Sequence, residues 1–115
     1  MLKQMGSVDP TIRKLKHGPL KTDQGFFIID APFPSALLTK QDVDSGSDGS
    51  GNNGVWQVES LSQRVKEIAG VLEVGLFSGP TGPQAQEQGQ LGGERPVAAY
   101  FGMPDGTVTV RHAPQ

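Results

Sequence analysis

The side chains that could do chemistry are twelve carboxylates, two histidines and a scatter of serines; there is no cysteine. Acid–base catalysis needs a pair of titratable groups held in a cleft with separated pKa values. The carboxylates do not form such a pair by spacing. Asp30, closing the run Phe26-Phe27-Ile28-Ile29, is the most notable of them and reads as a strand-end or turn cap. Asp105, inside Pro104-Asp105-Gly106, reads as a turn former. His17 and His112 are far apart, and neither has a ligand-type residue one helical turn away, so they read as surface residues rather than zinc ligands. The absence of cysteine excludes thiol chemistry and a disulfide framework. Many of the serines sit in linkers, and no G-x-S-x-G elbow is present.

Ligand loops fare no better. Asp42–Gly54, DVDSGSDGSGNNG, is acidic enough to test as a calcium loop. A frame starting at Asp44 puts Gly46 at position 3 and Val55 at position 12. A frame starting at Asp42 puts Ser47 where glycine is required, so both fail. No phosphate-binding loop stands between a strand and a helix, and Gly79–Gly82, GPTG, reads as a spacer that precedes no helix. The basic segment Ile12–Lys21 alternates with apolar residues and reads either as a solvated strand face or as an anion-binding surface. A net charge of −2 gives no footprint for nucleic acid, and no apolar run is long enough to span a membrane. The expectation is a soluble, intracellular chain with no catalytic, cofactor-binding or metal-binding residue of its own.

The elements that would carry these residues are few. A chain of 115 residues is one domain at most, and 35% hydrophobic content with 16 glycines and 9 prolines leaves a small core. Leu2–Met5 followed by Gly6 reads as the last turn of a helix, either frayed or lacking the helix that should precede it. Ile12–His17 and Phe26–Asp30 read as strands of one hairpin joined by the turn Thr22–Gly25. Ser60–Ala69 is the clear helix: Ser60 and Gln63 make a capping-box pair, and Leu61, Val65 and Ile68 share one face. Val71–Phe77 follows as a strand with Leu72, Val74 and Leu76 toward that helix and Glu73 toward solvent. The chain closes with a hairpin, Val97–Phe101 and Thr107–Val110 around Met103–Gly106, in which Tyr100 and Phe101 read as core or edge aromatics. Asp42–Gly54 and Ser78–Pro96 are expected to add nothing to a core.

Three motifs in order, Thr22–Asp30 (TDQGFFIID), Ile68–Phe77 (IAGVLEVGLF) and Gly102–Val110 (GMPDGTVTV), resemble the C-terminal part of type A ribose-5-phosphate isomerases. Gln24 and Met103 depart from the family's usual Asn and Thr. The resemblance implies an α+β fold: an incomplete ferredoxin-like antiparallel sheet with one full helix, then a β-hairpin that in the family returns to the larger α/β domain. Residues 1–77 would be the partial small domain with a low-complexity insertion at 42–54, residues 78–96 a flexible loop, and 97–110 the hairpin. It also implies pentose phosphate chemistry on a sugar phosphate in the cytoplasm, no cofactor, and a possible homo-oligomer. The family's D-G-A-D-E and K-G-G-G-A segments, which carry its catalytic groups, do not occur here. The resemblance therefore transfers no catalytic residue, and Asp30 and Glu73 are not candidates to replace them. The isolated chain is expected to be inactive and only weakly stable. The rival reading is a non-catalytic α+β ligand-binding or interaction module.

Overall fold

The computed structural model describes residues 1–114. Short strands and three helices follow one another as β1 (Thr11–Ile12), β2 (Lys14–Leu15), β3 (Gly18–Pro19), β4 (Ile29–Asp30), α1 (Lys40–Asp44), α2 (Val58–Lys66), α3 (Gly82–Glu87), β5 (Ala98–Gly102) and β6 (Val108–His112). The α+β class stands. The strands pair only two by two, as β1–β4, β2–β3 and β5–β6, all antiparallel. The chain divides into two compact units, Met1–Glu73 and Val74–Gln115.

In the first unit the Gly6 turn ends in the expected way. The amides of Gly6 and Ser7 donate to the carbonyls of Lys3 and Leu2, the paired bonds that close a helix C-terminus, and Gly6 takes the left-handed φ of +109° that this closure requires. The expected hairpin is more broken than its sequence suggested. Thr22–Gly25 does turn the chain: the Gly25 amide bonds the Thr22 carbonyl, and Lys21 bridges Phe27. The Ile12–His17 strand, however, splits at Arg13. Lys14–Leu15 folds back on Gly18–Pro19, while Thr11–Ile12 pairs with Ile29–Asp30. Lys16 and His17 make the reversal, and Gly18, the first residue of β3, follows it with φ +141°.

Helix α2 starts two residues earlier than expected and ends at Lys66. Its cap is Gln57, whose side-chain oxygen accepts from the Ser60 amide at 3.2 Å. The Ser60–Gln63 capping box does not form, because Ser60 already lies in the first turn. Leu61, on the expected apolar face, is buried, with Val65 and Ile68 half-buried. Residues 71–77 form no strand. They have no ladder partner among the described residues, and Leu72 and Phe77 lie exposed.

The two stretches set aside as coreless are built into their units. In the first, Thr39 and Asp42 cap α1 reciprocally. Gly49 is buried, and residues 50–56 form a tight hairpin whose Ser50 bridges Trp56. Trp56 is the anchor of the unit. It is 8% exposed, and its indole Nε1 donates to the Met5 carbonyl at 2.6 Å across 51 residues of chain. Gly51 lies so close beneath the ring that any Cβ there would collide with it, and Gly6 lies against Gly54 backbone to backbone. In the second unit, Gly82–Glu87 is helical, capped by a Thr81–Gln84 box. GPTG therefore leads directly into a helix, a correction to its reading as spacer. Gly93 packs on the Thr81 backbone, Arg95 bonds the Gln84 side chain, and Ala85 is fully buried.

Candidate functional site

Each carboxylate singled out in the sequence is engaged by a neighbour. Asp30 faces Thr11 in the β1–β4 ladder, which puts Arg13 diagonally across from it. The guanidinium grips the carboxylate in two-point fashion, Nε to Oδ2 at 3.0 Å and Nη2 to Oδ1 at 2.6 Å. These hydrogen bonds, assisted by the Arg13 charge, hold Asp30 below the ordinary aspartate value of 3.8. A carboxylate pulled down and clamped is a poor general base at neutral pH. Asp30 does end a strand, as expected, but works as an ion-pair partner. Glu73 pairs with Lys66 at 3.1 Å. Asp105 accepts from the hydroxyl and the amide of Thr107, which lower its pKa and make it the turn former expected. In the acidic loop, Asp42 is lowered by the Thr39 amide and then its hydroxyl, and Asp48 by the Ser50 hydroxyl and then its amide.

His17 and His112 are both exposed and lie in different units. Among the described residues no three His, Asp or Glu side chains gather where they could hold a metal ion. In the basic segment, Lys21 lies over the Phe27 ring at 5.4 Å and Arg13 is taken by Asp30.

The run Gly49–Gly54 has the letter spacing of a dinucleotide-binding turn, G-x-G-x-x-G. Its geometry is different. The Gly51 amide donates to Val55, the Gly54 amide to Gly51, and the Ser50 amide to Asp48. A phosphate cradle needs such amides free and pointed at a helix N-terminus; here they close the loop on itself.

Beside this loop lies a cleft of about 290 Å³, lined by Met1, Gln4, Met5, Ser50, Gly51, Asn52, Trp56 and Arg64. Arg64 is exposed and also reaches Glu67 at 3.4 Å. Amide, hydroxyl and guanidinium groups can hydrogen-bond a polar guest. Neither carboxylate nor imidazole lines the cleft, so it has no group to move a proton between carbons. Sequence reasoning overlooked Trp56 altogether. The signal that could have found its surroundings is Asn52-Asn53-Gly54, the same turn chemistry that correctly placed Pro104-Asp105-Gly106.

Comparison with known proteins supplies what the geometry lacks. The family model described as ribose 5-phosphate isomerase A (phosphoriboisomerase A) matches residues 1–85. The chain is 38% identical over 114 residues to the ribose-5-phosphate isomerase of Mycosarcoma maydis, covering 97% of this chain and 29% of that protein. It is 37% identical over 98 residues to that of Cryptococcus neoformans, covering 85% and 22%. With the Schizosaccharomyces pombe enzyme it shares 31% over 115 residues, covering 97% and 30%. The chain thus spans less than a third of the length of these curated relatives. No solved structure matches it.

Proposed function

Because the chain belongs to the ribose 5-phosphate isomerase A family, we propose that it is the C-terminal portion of an enzyme interconverting D-ribose 5-phosphate and D-ribulose 5-phosphate in the pentose phosphate pathway. The observation that carries this reading is the family match over residues 1–85, together with relatives that bear this name over most of the chain. In that reaction a base takes the proton from C2 of the aldose, an enediol forms, and the proton returns to C1 of the ketose. The step requires a positioned carboxylate, donors for the developing oxyanion and a phosphate cradle. These residues supply neither the carboxylate nor the cradle, and the hydrogen-bond donors of the cleft stand without a base beside them. Asp30 and Glu73 are paired, the glycine-rich loop is closed, and D-G-A-D-E and K-G-G-G-A are absent from the sequence. The chain by itself is inactive on this reading, and the sugar phosphate is a substrate of the longer enzyme.

The same reading gives the first unit a place in a ferredoxin-like layer, where residues 71–77 take up the strand they lack here, and gives the β5–β6 hairpin a sheet to join. Its compartment is the cytoplasm, and its assembly a homo-oligomer. The deciding experiment has two arms. The purified 115-residue chain is mixed with ribose 5-phosphate and ketose formation is followed; no ketose above buffer is expected, and turnover would overturn the inactivity. Sequencing the transcript upstream of the Met1 codon should find an open frame encoding D-G-A-D-E. An in-frame stop there favours the non-catalytic module instead.

A further inference from the structure

We propose that Asn53 is a self-modifying site, and that its isoaspartyl product unlatches the Trp56 hairpin from the Gly6 turn. Asn53–Gly54 is the one Asn-Gly step in the sequence. In such a step the backbone nitrogen of the glycine can attack the asparagine Cγ, because no Cβ on the following residue obstructs the approach. The new N–C bond closes a five-membered succinimide, the Cγ–N bond breaks, and ammonia leaves carrying the proton from the backbone amide. Water then opens the ring at one carbonyl or the other. Residue 53 becomes aspartate, or isoaspartate with the main chain rerouted through its Cβ.

The fold both exposes this step and restrains it. Asn53 is solvent-exposed at the tip of the 50–56 hairpin. The attacking amide, however, is engaged: Gly54 donates to the Gly51 carbonyl at 3.0 Å, and Gly51 donates to Val55 at 3.0 Å. Gly54 also holds a left-handed φ of +73°. The ring can close only when this turn opens, so the reaction is paced by a local opening rather than by solvent access.

The consequence falls on the contacts next to the turn. Gly54 packs against Gly6 so closely that a Cβ on Gly6 would come within 2.9 Å of the Gly54 Cα. Two residues on, Trp56 holds the Met5 carbonyl. An isoaspartate adds a methylene to the main chain immediately before Gly54. The lengthened loop cannot keep both the Gly6–Gly54 contact and the Trp56–Met5 bond. A plain aspartate leaves the main chain unchanged and keeps both. Asn52 has Asn53 after it, whose Cβ hinders the same attack.

The test uses the full chain held in mildly alkaline buffer with and without urea. Residues 52 and 53 are followed by peptide mass spectrometry that separates aspartate from isoaspartate, and the single tryptophan by its emission. Conversion is expected at Asn53 and not at Asn52, about tenfold slower without urea than with it. The isoaspartyl fraction should show red-shifted emission, whereas Asn53→Asp should match fresh protein. Asn53→Gln, which cannot form the five-membered ring, should not age. Equal rates in buffer and urea, equal conversion of Asn52, or unchanged emission in the isoaspartyl fraction would each overturn the proposal.

Discussion

Replacing Trp56 by phenylalanine keeps most of the ring and deletes one N–H. The Met5 carbonyl, which accepts from that group inside the unit, is then left without it. A buried acceptor stripped of its donor costs about 1–3 kcal/mol, and the urea midpoint followed by circular dichroism should fall accordingly. Gly51→Ala should do at least as much damage, since the added Cβ meets the indole and the residue sits at φ +85°. Its readout is a red shift of Trp56 emission in an otherwise wild-type chain. The carboxylates behave differently, because they are exposed. Asp30 is held below 3.8 by the Arg13 hydrogen bonds. Its contribution to stability is therefore fully present above that ordinary value and is lost as pH falls through the lowered one. An NMR titration should place Asp30 below 3.8, and Arg13→Ala should return it there; an unchanged midpoint in the variant would show the pair is not the cause.

At the scale of the element, the sequence located α2 and one of its faces but misjudged its start. Ser60-x-x-Gln63 satisfies the capping-box pattern, yet Gln57 reaches the Ser60 amide from three residues earlier and moves the helix start forward to Val58. Gln57→Ala should cost about 1 kcal/mol, while Ser60→Ala, which leaves the donating backbone amide in place, should cost less; a urea series on both variants decides between the two caps. The C-terminal hairpin was legible in its turn, while its strands, Ala98–Gly102 and Val108–His112, run beyond the expected Val110. Pro104-Asp105-Gly106 sets a three-residue loop in which Met103 bonds Thr107 and Gly106 takes φ +86°. Asn52-Asn53-Gly54 makes the same loop with the same bonds, and was hidden by the polar composition around it. Tyr100 and Phe101, expected at a core or edge, are both exposed on a two-stranded ribbon with no layer against it among the described residues.

For the molecule as a whole, the expectation of weak stability has a structural basis. Ile12, Leu15, Phe26, Phe27 and Ile29 all lie exposed along the strands of the first unit, and the second unit buries only Ala85 among its described apolar side chains. Short two-stranded ladders with open faces are marginal alone. The purified chain should bind an apolar fluorescent dye strongly and unfold over a broad temperature range. A sharp cooperative transition without dye binding would contradict this. None of the described helices is long and apolar enough to cross a membrane.

The sequence by itself determined the family, the α+β class, the turns at Gly6, Thr22–Gly25 and Pro104-Asp105-Gly106, and the helical face. All of these rest on local information: the order of short motifs, the side chain a left-handed turn tolerates, the spacing of Leu61, Val65 and Ile68. Tertiary structure decided the rest. The Trp56–Met5 bond joins groups 51 residues apart, and the Arg13–Asp30 clamp groups 17 apart. Gly93 and Arg95 return to the start of α3, against the Thr81 backbone and the Gln84 side chain, by a path no local pattern announces. The same dependence explains the strand that was expected and is absent: residues 71–77 alternate as a strand should, but a strand exists only where another backbone offers its amides and carbonyls.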